Sequence, residues 1–90
     1  MIENDQDLSV VTGVLAEVYE SDHGRPFGSF YRALLRAVAC ADGHNRKKIA
    51  KGFPLLVQAY EIATTEYDGR ETLENAVKDY RARVRFQRAK

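Results

Sequence analysis

The residues best suited to chemistry in this sequence are two groups of cationic side chains. Four bases lie within residues 46–51, and three arginines lie within residues 81–85, directly after a tyrosine. Lysine and arginine at this density neutralise phosphates or pair with carboxylates. Both segments therefore provide candidate partner-binding residues. These candidates are Arg46, Lys47, Lys48, Lys51, Tyr80, Arg81, Arg83 and Arg85.

Other reactive side chains occur without the partners that catalysis requires. His23 and His44 have no second histidine, cysteine or carboxylate at metal-ligand spacing. Cys40 falls near the end of a predicted helix, whereas a reactive thiol is favoured at a helix N-terminus. We therefore expect no catalytic site, no metal and no cofactor, and we expect that the protein is not an enzyme.

The segment around residues 35–54 resembles a helix-turn-helix at three positions. With Gly43 as the turn glycine, Ala39 lies four residues earlier and Ile49 six residues later, where a small and an apolar residue belong. Pro54 departs from the pattern because it ends the second helix after about two turns. We therefore expect a polar corner between two helices here. A small nucleic-acid-binding regulator is the alternative function.

Apolar residues at helical spacing predict an all-α fold. The expected architecture is a compact bundle of four main helices plus one short connecting helix. The main helices should span about residues 8–19, 27–41, 54–65 and 71–84 or beyond. The helix from Pro54 should be central, because its apolar residues lie on nearly all sides.

The predicted ends of these helices depend on capping residues. Asp5 or Asp7 should cap the first helix, since a carboxylate accepts hydrogen bonds from the first free N–H groups. Gly43 should end the second helix. Asn45 should cap the connector, which we expect to be about seven residues long and to end near Lys51.

Length and composition indicate one domain. The chain has 90 residues, of which 44% are apolar and 30% charged. We expect a single helical domain over residues 1–90, with residues 1–6 and 86–90 frayed. The single cysteine excludes an internal disulfide, and no apolar run is long enough to span a bilayer. These features predict a cytoplasmic protein without membrane contact.

The net charge of +1 conceals four alternating blocks of charge. Residues 1–24 carry six acids and no Lys or Arg, whereas residues 25–52 carry seven bases and one acid. Residues 53–75 are again acidic, and residues 76–90 are again basic. Either oppositely charged helices attract one another on folding, or a basic block forms a surface for an acidic partner.

Three short elements between residues 27 and 60 resemble small uncharacterised bacterial and phage helical proteins. The elements are F-x-x-F-Y-R-A-L, A-D-x-x-N-R-x-K-I and G-F-P. The resemblance implies a bacterial or mobile-element setting, including a phage-encoded inhibitor. Together with the charge blocks, it predicts a small protein-binding module that acts as an inhibitor or adaptor on an unidentified protein. Nucleic acid and a second copy of the chain are the alternative partners.

Overall fold

The computed structural model describes residues 1–89, and this part of the chain contains five α-helices and no strand. The all-α prediction is therefore confirmed. Four helices have 12 or more residues, and α3, which connects α2 to α4, has 10. The helices are α1 (Asp5–Tyr19), α2 (Ser29–Cys40), α3 (Gly43–Gly52), α4 (Pro54–Thr65) and α5 (Gly69–Ala89).

Helices α1, α4 and α5 pack against one another and form a three-helix framework. Helix α4 also receives α2 and α3, so it holds the central position that its apolar pattern predicted. The middle of α1 is buried on all sides, from Val10 through Leu15. The sequence indicated only an apolar stripe on α1. Its full burial arises because the chain after α1 folds back over the helix.

The segment that follows α1 explains why Gly13 lies in the interior of this helix. The backbone N–H of Arg25 donates to the carbonyl oxygen of Thr12 at 3.0 Å, which holds the segment against the helix. The ring of Phe27 then lies directly on Gly13. A Cβ atom at Gly13 would be 1.9 Å from Phe27 Cε1, so only glycine leaves room for this ring.

The first helix begins earlier than predicted. Its cap is Asn4, whose side chain accepts a hydrogen bond from the Asp7 N–H at 2.8 Å. The prediction of Asp5 or Asp7 as the cap is therefore wrong, since both lie in the first turn. Ile2, just before the helix, is only 2% exposed.

The chain ends were expected to fray at residues 1–6 and 86–90. Residues 5 and 6 belong to α1, and α5 continues to Ala89. Lys90 lies outside the described residues. Fraying itself stays a prediction.

The corner between α2 and α3 also differs from the prediction. Helix α2 ends at Cys40, and Ala41 is extended. Asp42 is then the cap of α3, because its carboxylate accepts from the Asn45 N–H at 2.8 Å. Gly43 is the first residue of α3 and does not end α2, and Asn45 is not the cap.

Candidate partner-binding surface

Arg46, a predicted partner-binding residue, makes its contacts inside the α2–α3 corner. Its guanidinium donates to the carbonyl oxygen of Val38 at 3.2 and 3.3 Å, and to that of Ala41 at 3.5 Å. It also lies 5.4 Å from the centre of the Tyr60 ring. Carbonyls at a helix end lack partners within the helix, so Arg46 satisfies the end of α2. A partner contact for Arg46 stays a prediction.

Three other predicted residues form an exposed lysine stripe on α3, defined as Lys47, Lys48 and Lys51. Their spacing of one, three and four residues puts them on one face of the helix. No ion pair involves any of them within residues 1–89. The stripe is therefore a solvated cationic surface.

On α5, Tyr80 and Arg83 fasten the N-terminal segment. The hydroxyl of Tyr80 donates to Asp5 Oδ1 at 2.8 Å, and this bond is the main cause that raises the pKa of Tyr80. Arg83 Nη2 donates to the carbonyl oxygen of Ile2 at 2.9 Å. Tyr80 is buried, whereas Arg85 is exposed. Of the α5 candidates, Arg81 and Arg85 do not take part in the contacts with Ile2 and Asp5.

Ion pairs give little support to attraction between the charge blocks. The described part of the chain contains two, Arg32–Glu17 at 3.2 Å and Arg70–Glu74 at 3.3 Å. The Arg32–Glu17 pair alone joins two blocks of opposite sign. Of the other bases in residues 25–52, Arg46 donates to carbonyl oxygens in the α2–α3 corner, and the rest form no ion pair within residues 1–89.

The geometry of α2 and α3 departs from a helix-turn-helix. Gly43 lies in α3 with negative φ, so it does not act as a turn glycine. Ala39 is exposed and does not support a close contact between the two helices. Helix α3 is nevertheless longer than expected, and its 10 residues correspond to a length of about 15 Å.

The sequence did not reveal the most distinctive surface feature, an aromatic cluster. We define this cluster as Phe27, Phe30, Tyr31 and Phe53. Tyr31 lies at its centre, with ring centroids 5.4, 5.5 and 6.0 Å from those of the other three residues. Phe27 is buried, but Phe30 is 63% exposed. Phe30 is therefore an aromatic side chain of α2 that packs in the cluster but stays largely open to solvent.

Two cavities flank Tyr31. The basic cavity, of about 540 Å³, is lined by Asp5, Arg25, Phe27, Tyr31 and Arg81, among others. The apolar cavity, of about 190 Å³, is lined by Asp7, Val10, Tyr31, Phe53 and Leu56, among others. Tyr31 forms a wall of both, so the aromatic cluster and the two cavities make one continuous surface.

The basic cavity carries an excess of positive charge. Arg25 and Arg81 form no ion pair within residues 1–89, and Asp5 is the single acid among the lining residues. Asp5 Oδ1 is already engaged by the Tyr80 hydroxyl. Two arginines and one partly satisfied carboxylate therefore line this cavity.

A serine, a histidine and a glutamate meet beyond the end of α1, and their contacts fit a structural role and not a catalytic one. The hydroxyl of Ser21 donates to the Glu74 carboxylate and accepts from the His23 backbone N–H at 3.2 Å. The Ser21 bond is the main cause that lowers the pKa of Glu74. A serine nucleophile needs a base poised to take its proton, and a carboxylate of lowered pKa is a poor base. The cluster anchors the loop after α1 to α5.

Residues 1–89 contain neither a metal-binding cluster nor a membrane-spanning helix. No group of three or more His, Cys, Asp or Glu side chains there is arranged to hold a metal ion. None of the helices in this range has the length and apolar character needed to cross a bilayer.

Comparisons with protein-family models, with curated proteins and with solved structures give no match.

Proposed function

We propose that this chain is a small, non-enzymatic protein-binding module whose aromatic cluster docks a segment of a partner protein. One observation supports this most directly: Phe30 is 63% exposed while it belongs to a packed cluster of four rings. Large aromatic side chains held rigidly at a surface are typical centres of binding energy. The flanking cavities give such a segment places for further side chains.

The partner segment in this proposal is acidic and carries a large apolar residue. Residues 25–52 hold seven bases and one acid, and most of these bases are unpaired. Three of the four aromatic residues of the cluster come from this same block, and Phe53 follows it directly. An acidic segment would therefore be attracted to the region where the aromatic rings are exposed.

The proposal also includes an inhibitor or adaptor role, a cytoplasmic location and a bacterial or phage setting. These parts are supported only by the sequence pattern of residues 27–60 and by the composition. A genomic neighbourhood free of phage and mobile-element genes would contradict the phage part of that setting.

A displayed library of random peptides, panned against the folded protein, tests the docking surface. Peptides selected on the native chain should share a large apolar residue, and Phe30→Ala should weaken their binding by about 5- to 30-fold. This range corresponds to about 1 to 2 kcal/mol for the exposed part of one phenylalanine. Phe86→Ala is the matched control, since Phe86 is 64% exposed on α5.

Two outcomes would contradict the proposal. The first is a library that yields no convergent peptides although circular dichroism shows a folded helical protein. The second is a set of peptides that bind Phe30→Ala as tightly as the native chain.

Nucleic-acid binding is the second candidate function, and the lysine stripe favours it. Unpaired lysines on one exposed helix face can neutralise phosphates, with an affinity that falls steeply as salt rises. A mobility shift with duplex DNA at low salt should then disappear when the three lysines become Glu. Arg46 must stay intact in this variant, because it holds the corner. No shift at low salt, or a shift that survives the three substitutions, would exclude this use of α3.

A homodimer is a further alternative. Light scattering of the purified chain across a range of concentrations tests it, and a constant monomer mass would exclude it.

A further inference from the structure

We infer that the basic cavity receives a carboxylate of the docked protein segment, next to the apolar side chain that contacts Phe30 and Tyr31. This site belongs to the docking surface proposed above, and it names the chemical group which that surface selects. The carboxylate is either an Asp or Glu side chain or the C-terminus of the partner chain.

The two arginines approach the cavity from different parts of the fold. Arg25 precedes α2, and its backbone is fixed by the bond from its N–H to the Thr12 carbonyl oxygen at 3.0 Å. Arg81 comes from α5, where the neighbouring Tyr80 is buried and bonded to Asp5. Both backbones are thus held by contacts that do not use the guanidinium groups, which leaves those groups available to an anion.

Guanidinium favours carboxylate because its planar N–H donors match the two oxygens. Asp5, in the same cavity, opposes an anion, but its charge is outnumbered by the two arginines. The Tyr80 hydroxyl also occupies one of its oxygens. The cavity of about 540 Å³ is large enough for a carboxylate with its adjoining backbone.

Tyr31 sets the spacing of the recognised groups. It lines the basic cavity and also packs against Phe30, with ring centroids 5.5 Å apart. A carboxylate in the cavity and an apolar side chain on the cluster are therefore separated by about the width of one ring. The recognised segment should carry its acid within about two residues of a large apolar residue, given roughly 3.3 Å of chain per residue.

Three bead-bound heptapeptide libraries test this inference on the full chain. The first allows Asp and Glu and has an amidated C-terminus. The second lacks Asp and Glu but has a free C-terminal carboxylate. The third has neither kind of carboxylate. Binders are resynthesised, and their affinities are measured by fluorescence anisotropy at low and high salt.

Binders should come from the first library or the second, and the library that supplies them identifies the source of the carboxylate. Arg81→Gln should weaken the binding of these peptides about tenfold at low salt. Raising the salt concentration should reduce the difference in affinity between this variant and the native chain. Arg88→Gln is the matched control, because it removes an exposed arginine from the same helix.

The remaining outcomes separate the two proposals. Binders of equal affinity from the third library, sensitive to Phe30→Ala but not to Arg81→Gln, would overturn the carboxylate site and leave the docking surface intact. Binders from the first two libraries that tolerate Arg81→Gln and Arg25→Gln would also overturn the site. No binders from any library would overturn both proposals.

Discussion

Replacing Gly13 with alanine should destabilise the protein, although the same change usually stabilises a helix. Alanine in a helix interior is favoured over glycine by about 1 kcal/mol. At Gly13 the new Cβ would lie 1.9 Å from Phe27 Cε1 and 2.3 Å from two further ring atoms. The ring cannot retreat easily, because it is buried and stacked on Tyr31 at 5.4 Å. Overpacking of this kind costs up to about 3 kcal/mol, so the net loss should be about 2 kcal/mol.

The sign of the effect should reverse when the Phe27 ring is removed. In a Phe27→Ala background, the Gly13→Ala change meets no ring and should regain its helical advantage of about 1 kcal/mol. The two changes should therefore be coupled by about 3 kcal/mol. Phe27→Ala alone should cost about 3 kcal/mol. A 90-residue chain has a free energy of unfolding of about 5 to 13 kcal/mol, so all four proteins remain measurable.

Urea unfolding followed by circular dichroism at the helical band measures all four free energies. Gly43→Ala is the matched control, since a Cβ at Gly43 meets nothing within 4 Å. It should be neutral or stabilising. If Gly13→Ala changed the free energy of unfolding in the same direction with and without the Phe27 ring, the ring would not be the cause of the destabilisation.

Three further perturbations test other contacts. Arg46→Met should lower the free energy of unfolding by about 2 kcal/mol, because it removes the charged hydrogen bonds from the guanidinium to the carbonyl oxygens of Val38 and Ala41. The control Lys47→Met, on the exposed face of α3, should change the free energy of unfolding by less than about 0.5 kcal/mol. Equal losses for the two variants in urea unfolding would contradict the role of Arg46 in holding the α2–α3 corner. Gly69→Ala should lower the melting temperature, since the new Cβ would lie 2.1 Å from the carbonyl oxygen of Ile62 in α4. An unchanged melting curve would show that the backbone shifts to make room for the Cβ. Because the pKa of Glu74 is lower in the folded protein than its ordinary value of 4.5, ionised Glu74 stabilises the fold at pH values above 4.5. This stabilisation is lost as the pH falls through the pKa of the folded state. Ser21→Ala should raise that pKa in an NMR titration, and an unmoved pKa would contradict the assigned cause.

The elements that could be predicted from sequence were those with strong local signals. Pro54 begins α4 as expected, because a residue without an N–H fits the first turn of a helix. The α2–α3 corner was misassigned because two local rules compete there. A glycine that follows a helix usually marks the end of that helix. Here the Asp42 carboxylate accepts a hydrogen bond from the Asn45 N–H, so a new helix begins at Gly43.

The candidate surface was harder to predict, since it depends on contacts between distant residues. Arg46, Tyr80 and Arg83 look available in the sequence, but the fold supplies acceptors to each of them. The acceptors of Tyr80 and Arg83 lie at the opposite end of the chain, where local spacing carries no information. The aromatic cluster had a weak signal: three aromatic residues within residues 27–31, together with Phe53 next to a proline.

Helix α2 buries fewer side chains than α1 and α4, and this affects how the protein opens locally. Its 12 residues contain two buried side chains, Leu35 and Val38, whereas α1 buries six consecutive residues. Amide protons of α2 should therefore exchange with solvent through small opening motions, and those of α1 only through global unfolding. The aromatic cluster lies along the boundary between these two regions. A bound segment that contacts both sides would slow the exchange of α2 and make the whole chain open as one cooperative unit.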